Sequence, residues 1–446
     1  MFLKTPQIAF LICCLIQSCA SFAEEAAEYE DSTFRFQSSY IWQRKAAFDA
    51  PYADGRNSLS SGLARSYTAT ETGYWGFRLW RGGELYFNPE ITQGVPFSGL
   101  AGAGAFTNGE LTRSAGTKPH LYRQRFFLRQ TFGLGGGEQK VEADLNQMAG
   151  TVDKNRVVLT LGNFSTLDVF DDNAYAKDSR TQFMNAGFIA PLAYDYAADA
   201  RGFGYGFALE WYQDDWAYRI GRMTGPQTPN MLPTDYRIFK HYGDQLEIEH
   251  SHTLFDQPGK VRVLAWRNKA NIASFQDALA YINTYHPTDM QAIFAVRTGE
   301  KIKYGLGVNI EQAISEDLGF FLRAMKADGK TETLAFTETD ASLGTGLSWK
   351  GSAWNRPKDT LGVGYIYNTI SKERRSYLEA GGISFFLGDE HPNFKYSPEQ
   401  VFETYYSMNV WKDLYATLDY QHMMNPGYNA DRGPVDFGAI RLHIEF

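Results

Sequence analysis

The chain closes on a segment whose side chains alternate in character at every step. Ile440, Leu442, Ile444 and Phe446 fall on one face of an extended strand, and Arg441, His443 and Glu445 fall on the other. In hydrocarbon no water satisfies exposed backbone groups, so a sheet crosses a membrane only as a closed barrel. Its apolar residues face lipid and its polar ones face the lumen. A soluble sheet with one buried face alternates too, so a single strand decides nothing. Repetition along the chain carries the argument.

The same period recurs. Leu85, Phe87 and Ile91 alternate with Glu84, Tyr86, Asn88 and Glu90, and Tyr122, Phe126 and Leu128 oppose Arg123, Arg125 and Arg129. Tyr205, Phe207, Leu209 and Trp211 oppose glycines and Glu210, while Leu246 and Ile248 oppose Gln245, Glu247 and Glu249. The pattern predicts strands over 33–43, 68–80, 83–92, 120–132, 155–164, 204–213, 215–224, 244–254, 258–268, 301–313, 316–326, 340–350, 359–369, 399–411, 413–423 and 437–446. These sixteen strands, an even number, place both termini in the periplasm. The segment 371–398 contains ISFFLGD but reads as a loop carrying a short helix around Arg374 to Ala380, because another strand breaks the parity.

Connections sort by length. Short turns fall at Arg81-Gly82-Gly83, Asp214-Asp215, Asp256 to Gly259, Ser315-Glu316-Asp317 and Lys412-Asp413. Long loops fall at 44–67, 93–119, 165–203, 225–243, 269–300, 371–398 and 424–436, alternating with the turns as extracellular loops do. The segment 133–154 is long on the short-turn side, and its run Gly135-Gly136-Gly137 reads as a mobile insert.

A secretory leader is expected over residues 1–23. Lys4 precedes the apolar run Ile8 to Ile16, and Ser21-Phe22-Ala23 offers small residues for cleavage. The run is too short for a membrane-spanning helix. The mature chain is then 24–446, a single domain. Lipoprotein processing at Cys19 is the lesser alternative, since Gln17 fits that signal poorly. Cys13, Cys14 and Cys19 all lie in the leader, so disulfides, thiolate metal sites and cysteine nucleophiles are excluded from the mature protein. The formal charge of −8 becomes one unit more negative without Lys4, and no basic block suggests nucleic acid. An aromatic content of 15% in an exported chain with no further long apolar run points to an all-β, closed antiparallel transmembrane barrel.

Several stretches resemble the OprB family of carbohydrate-selective porins. They are WRGGELYFNPEITQG (Trp80 to Gly94), LYRQRFFLRQTFGLGG (Leu121 to Gly136), FDDNAYAKDSRTQFMN (Phe170 to Asn185), PEQVFETYYSM (Pro398 to Met408), LDYQHMMNPGYNADRGPVD and the terminal RLHIEF. The order of these stretches covers nearly the whole mature chain. The terminal Phe446 also resembles the signal by which bacterial outer-membrane barrels are assembled. The resemblance implies a passive channel with a narrowed, charged throat in the outer membrane of a Gram-negative bacterium. Its partners would be sugars, small hydrophilic solutes and outer-membrane lipid, with no cofactor and no nucleic acid. It leaves monomer and trimer both open.

A neutral sugar crosses a narrow lumen by exchanging water for wall groups, with polar groups meeting its hydroxyls and aromatic faces its C–H surface. The candidates for that path are Arg123, Arg125 and Arg129 against Glu84 and Glu90, with Tyr86 beside them. The bland alternative is that inward charges merely keep a lumen wet. The 165–203 loop is the second candidate region. Phe170, Phe183, Met184 and Phe188 are expected to pack, leaving Asp171, Asp172, Asp178 and Arg180 towards the channel. Asp171-Asp172-Asn173 also fits a turn or, less well, a surface calcium site. NPGYNADRGP (Asn425 to Pro434) reads as a tight turn. His250 and His252 share a face opposite Glu247 and Glu249, so they make no metal site, and no nucleophile–base motif supports an enzyme. An outer-membrane exporter or barrel enzyme is the second reading, and a soluble β-sandwich adhesin or lectin the third.

Overall fold

The computed structural model describes residues 29–446 except 53, 115, 288–290, 336–337 and 390–393. The expected leader and the three cysteines lie outside the described residues. The strands are β1 (Ser32–Lys45), β2 (Ala64–Trp80), β3 (Gly83–Val95), β4 (Gly116–Gly133), β5 (Glu138–Val141), β6 (Gly150–Asp153), β7 (Arg156–Phe164), β8 (Gly204–Gln213), β9 (Trp216–Met223), β10 (Tyr242–Leu254), β11 (Gln257–Asn271), β12 (Glu300–Ala313), β13 (Leu318–Ala327), β14 (Ala341–Gly351), β15 (Arg356–Thr369), β16 (Glu399–Trp411), β17 (Leu414–Met424) and β18 (Val435–Glu445). All but β5 and β6 join in one closed antiparallel barrel of sixteen strands, each sequence segment supplying one. Backbone pairing closes between β1 and β18, where Phe36 and Phe446 exchange hydrogen bonds of 2.8 and 3.0 Å. Closure leaves no edge, which is what a sheet in lipid needs.

Alternation sets which face is which. In β10, Gln245, Glu247 and Glu249 are buried towards the lumen while Leu246 and Ile248 are exposed on the outer wall. Tight turns adopt positive φ: Gly82 (φ 74°) joins β2 to β3, and Phe255 and Asp256 (φ 53° and 59°) join β10 to β11. That second turn falls one residue before the predicted Asp256–Gly259, and β11 starts at Gln257.

One strand departs from the predicted phase. Across β3 and β4, Asn88 faces Arg125 but Pro89 faces Arg123, so Gln124 is an extra residue in a bulge. Pro89 has no N–H to give the ladder, which places the irregularity there. Below the bulge Arg125, Phe127 and Arg129 point inward. Above it the phase flips, so Tyr122 points inward and Leu121 and Arg123 point out.

The connections divide as expected, with two findings. The 371–398 segment is a loop with helix α4 (Lys372–Glu379), as its parity demanded. With α2 (Phe275–Tyr285) and α3 (Ala292–Ala295) from the 272–299 loop, it builds an apolar cap around Phe275, Ile282, Tyr377 and Tyr428; the short helix α1 (Ala186–Ile189) belongs to the 165–203 loop. The 133–154 insert, read as mobile, is instead the folded hairpin β5–β6. It is docked under the barrel by Arg78 donating to Ala149 O (2.9 Å), Arg129 to Asn146 O (2.9 Å) and Met148 N to the Tyr86 hydroxyl (3.3 Å).

Candidate functional site: a charged throat beside the lumen loop

The 165–203 loop runs across the lumen and is tied to the wall on several sides. Arg441 of β18 donates to Ser179 O (2.6 Å) and Gln182 O (2.9 Å), and Glu403 of β16 accepts from Met184 N (2.5 Å) and Asn185 N (3.0 Å). Arg323 of β13 donates to Phe188 O (2.7 Å), and Lys303 of β12 meets Asp195 at 3.0 Å. Lumen-facing polar residues thus satisfy backbone that would otherwise be buried without partners. Phe170, Phe183, Met184 and Phe188 are buried, packing the loop onto the wall as expected.

What remains open is a cavity of about 730 Å³ on the β3–β9 side. Eight arginines line it: Arg78, Arg113, Arg125, Arg129, Arg156, Arg180, Arg201 and Arg219. Carboxylates interleave with them, among them Glu84, Asp144, Asp168, Asp172 and Glu210, and Tyr74, Tyr196 and Tyr212 add ring faces.

Most of these charges are paired. Arg125 grips Asp168 through two contacts of 2.7 Å. Arg219 lies 3.0 Å from Glu210 and 2.8 Å from Glu247. Arg180 is held between Glu90 (2.6 Å) and Glu110 (2.7 Å) and donates to Gln37 and Thr72 at 3.0 Å each. Burial disfavours the charge on Glu110, but the guanidiniums of Arg180 and Arg113 outweigh it and hold its carboxyl down at about 2. Arg129 and Arg201 differ. Among the described residues neither has an ion-pair partner; Arg129 lies 5.2 Å over Tyr86 and Arg201 4.3 Å over Tyr122.

The predicted residues sort as follows. Arg125, Arg129, Arg180, Asp172 and Glu84 line the open cavity. Glu90 and Tyr86 face inward but are sealed, Glu90 behind Arg180 and Tyr86 stacked 5.0 Å from Phe127 beneath the hairpin. Two placements correct the reading. Arg123, turned out by the bulge, meets the Tyr205 hydroxyl on the outer side of the wall. Asp171, at φ 58°, is buried against Asn309 (2.7 Å) and Arg323 (3.4 Å), away from the channel. The expected opposition of Arg123 and Arg125 to Glu84 and Glu90 is also replaced: Glu84 pairs with Arg78 at 2.7 Å and Glu90 with Arg180. No group of metal-ligating side chains occurs among the described residues.

Sequence reasoning missed Glu110, Arg113, Arg201, Glu210 and Arg219. A signal existed for one pair: Glu210 and Arg219 are equidistant from the Asp214-Asp215 turn and face each other in the register. The loop residues carried no such local signal.

Comparison with known proteins agrees with this architecture. The high-pH structure of Pseudomonas putida OprB superposes with a TM-score of 0.71, covering 93% of this chain and 94% of that one at 14% identity, a likeness of fold. Its low-pH structure covers 99% and 98% at 12% identity and a TM-score of 0.49, and Pseudomonas aeruginosa OccK2 (OpdF) covers 94% and 98% at 9% identity and 0.46. No curated protein matches the sequence. The family of carbohydrate-selective porins, OprB, matches residues 76–446. The match runs from within β2 to the C-terminal residue, most of the chain, and the chain belongs to the OprB family of carbohydrate-selective porins.

Proposed function

We propose that this porin passes neutral, sugar-sized solutes by passive diffusion across the outer membrane of a Gram-negative cell, after export by a leader over residues 1–23. The observation that carries the reading is the throat itself. Its cations and carboxylates are largely paired across the cavity, so little net field opposes or traps a neutral solute. The unpaired guanidiniums of Arg129 and Arg201 and the hydroxyl of Tyr212 offer hydrogen bonds, and tyrosine rings offer flat apolar faces. Selection then acts through fit and hydrogen bonding rather than charge.

The test is swelling of liposomes holding the purified protein, driven by a panel of monosaccharides, disaccharides, amino acids and salts. Monosaccharides should enter faster than amino acids of similar mass. Equal rates at equal mass would leave a general diffusion pore and remove sugar preference from the reading.

A further inference from the structure

The outer wall carries a charged groove that the transport path does not use. On the lipid-facing side of β10 to β13 lies a cleft of about 820 Å³. Register places Leu246, Ala265, Leu306 and Lys326 side by side along its floor. Leu246 and Leu306 stand 49% and 58% exposed, and the short Ala265 between them leaves a trough. The next row towards the loop ends is Arg222, Asp244, Arg267 and Tyr304. Asp244 lies 2.7 Å from Arg222 and 2.9 Å from Arg267, so one carboxylate orients two guanidiniums. Among the described residues Lys326 has no ion-pair partner. Asp328, just past β13, adds one more carboxylate, so Arg267 and Lys326 match Asp244 and Asp328 in the lining, and Arg222, beside Asp244, supplies the excess cation.

A cation on the lipid face costs roughly 2–4 kcal/mol at the bilayer centre and about 0–1 near the interface. Asp244, Arg267, Tyr304 and Lys326 sit one to four residues inside the ends of β10, β11, β12 and β13, towards the loop ends of the wall, where headgroup phosphates are the available counter-charge. We propose that the groove binds a phosphorylated lipid of the outer leaflet. One acyl chain lies in the trough over Ala265 between Leu246 and Leu306. The phosphate is held by Arg267, Lys326 and the Tyr304 hydroxyl. Arg267 and Lys326 are two strands and one side-chain step apart, about 10 Å across and about 7 Å along the sheet, a gap two long side chains close around one headgroup. Free phosphate shares the head chemistry but makes no use of the apolar trough. The inference rests on the outer-membrane reading but not on sugar preference.

The experiment titrates the full-length protein in neutral detergent with a phosphorylated acyl lipid, its dephosphorylated counterpart and inorganic phosphate, and counts bound molecules by native mass spectrometry. The phosphorylated lipid should be retained, with the other two binding at least about tenfold more weakly, the effect of one charge-assisted hydrogen bond. The double variant Arg267→Ala with Lys326→Ala should lose a similar factor, and Ala265→Trp, which fills the trough, should also weaken the lipid. Heat-modifiable gel migration confirms that each variant is a folded barrel, and sugar-driven swelling should stay at the wild-type rate. Equal retention of the neutral lipid, saturation by inorganic phosphate alone, or unchanged binding by the double variant would overturn the proposal. So would a self-associated species that the double variant dissolves, which would assign the groove to a second copy of this chain.

Discussion

The guanidinium of Arg180, in the loop that crosses the lumen, lies 2.6 Å from the carboxylate of Glu90 on β3, with the two side chains 3% and 0% exposed. Glu90 also accepts from Thr72 and Gln124 at 2.6 Å each. The wall therefore grips the loop here, at one of its several anchors and beside the open cavity.

Removing one partner of a buried ion pair leaves an uncompensated charge and costs about 3–5 kcal/mol. Arg180→Ala should therefore release the loop, raise single-channel conductance and add gating noise, while the barrel stays assembled through its closed backbone ladder. A quiet channel of wild-type conductance would show that the other anchors hold the loop alone.

Acid should act on the same point through Glu110. Its folded carboxyl titrates at about 2, against about 4.3 in an unfolded chain. Because the folded value is the lower one, the stabilisation is complete above about pH 4.5 and is lost as the pH falls towards 2. Conductance should rise as the pH falls below about 4.5. Glu110→Gln should show the open behaviour already at neutral pH, which conductance recorded across a pH series would reveal.

The bulge at Pro89 separates two arginines that a strict alternation joins. Arg125→Ala breaks the two-contact pair with Asp168, worth about 1.5–3 kcal/mol, leaves that carboxylate bare in the throat, and should widen the channel and shift its preference towards cations. Arg123→Ala should leave conductance and ion preference unchanged, because the side chain lies on the outer side. Reversal potentials in a salt gradient distinguish the two, and equal shifts would mean the phase is not broken.

The hairpin docked beneath the barrel contributes part of the cavity wall. Met148 is buried with Tyr86, Phe127 and Val169, and Asp144, Asn146 and Gln147 line the cavity. Replacing residues 142–149 by a tight turn should raise conductance and speed the larger sugars most, with assembly intact because neither β5 nor β6 belongs to the barrel. Unchanged disaccharide swelling would place the limit to size elsewhere.

Much of the architecture was legible along the chain. A period of two depends only on neighbours in sequence, so sixteen strands and most of their inward faces followed from local pattern. The pairing of Glu210 with Arg219 had a local cause too, the tight turn between their strands, but went unread. The bulge had a local cause as well, since Pro89 cannot donate to a ladder, but a proline alone does not say which neighbouring strand takes the extra residue. The throat was a different matter. Arg180 meets Glu90 and Glu110, and Asp171 meets Asn309 and Arg323, across long stretches of chain. These contacts exist only once the barrel has closed and the 165–203 loop has entered it. The sequence by itself determined the wall, because alternation is a property of adjacent residues. Only the tertiary structure decided which charges face the open path, because partners in the lumen are brought together by the closing of the ring.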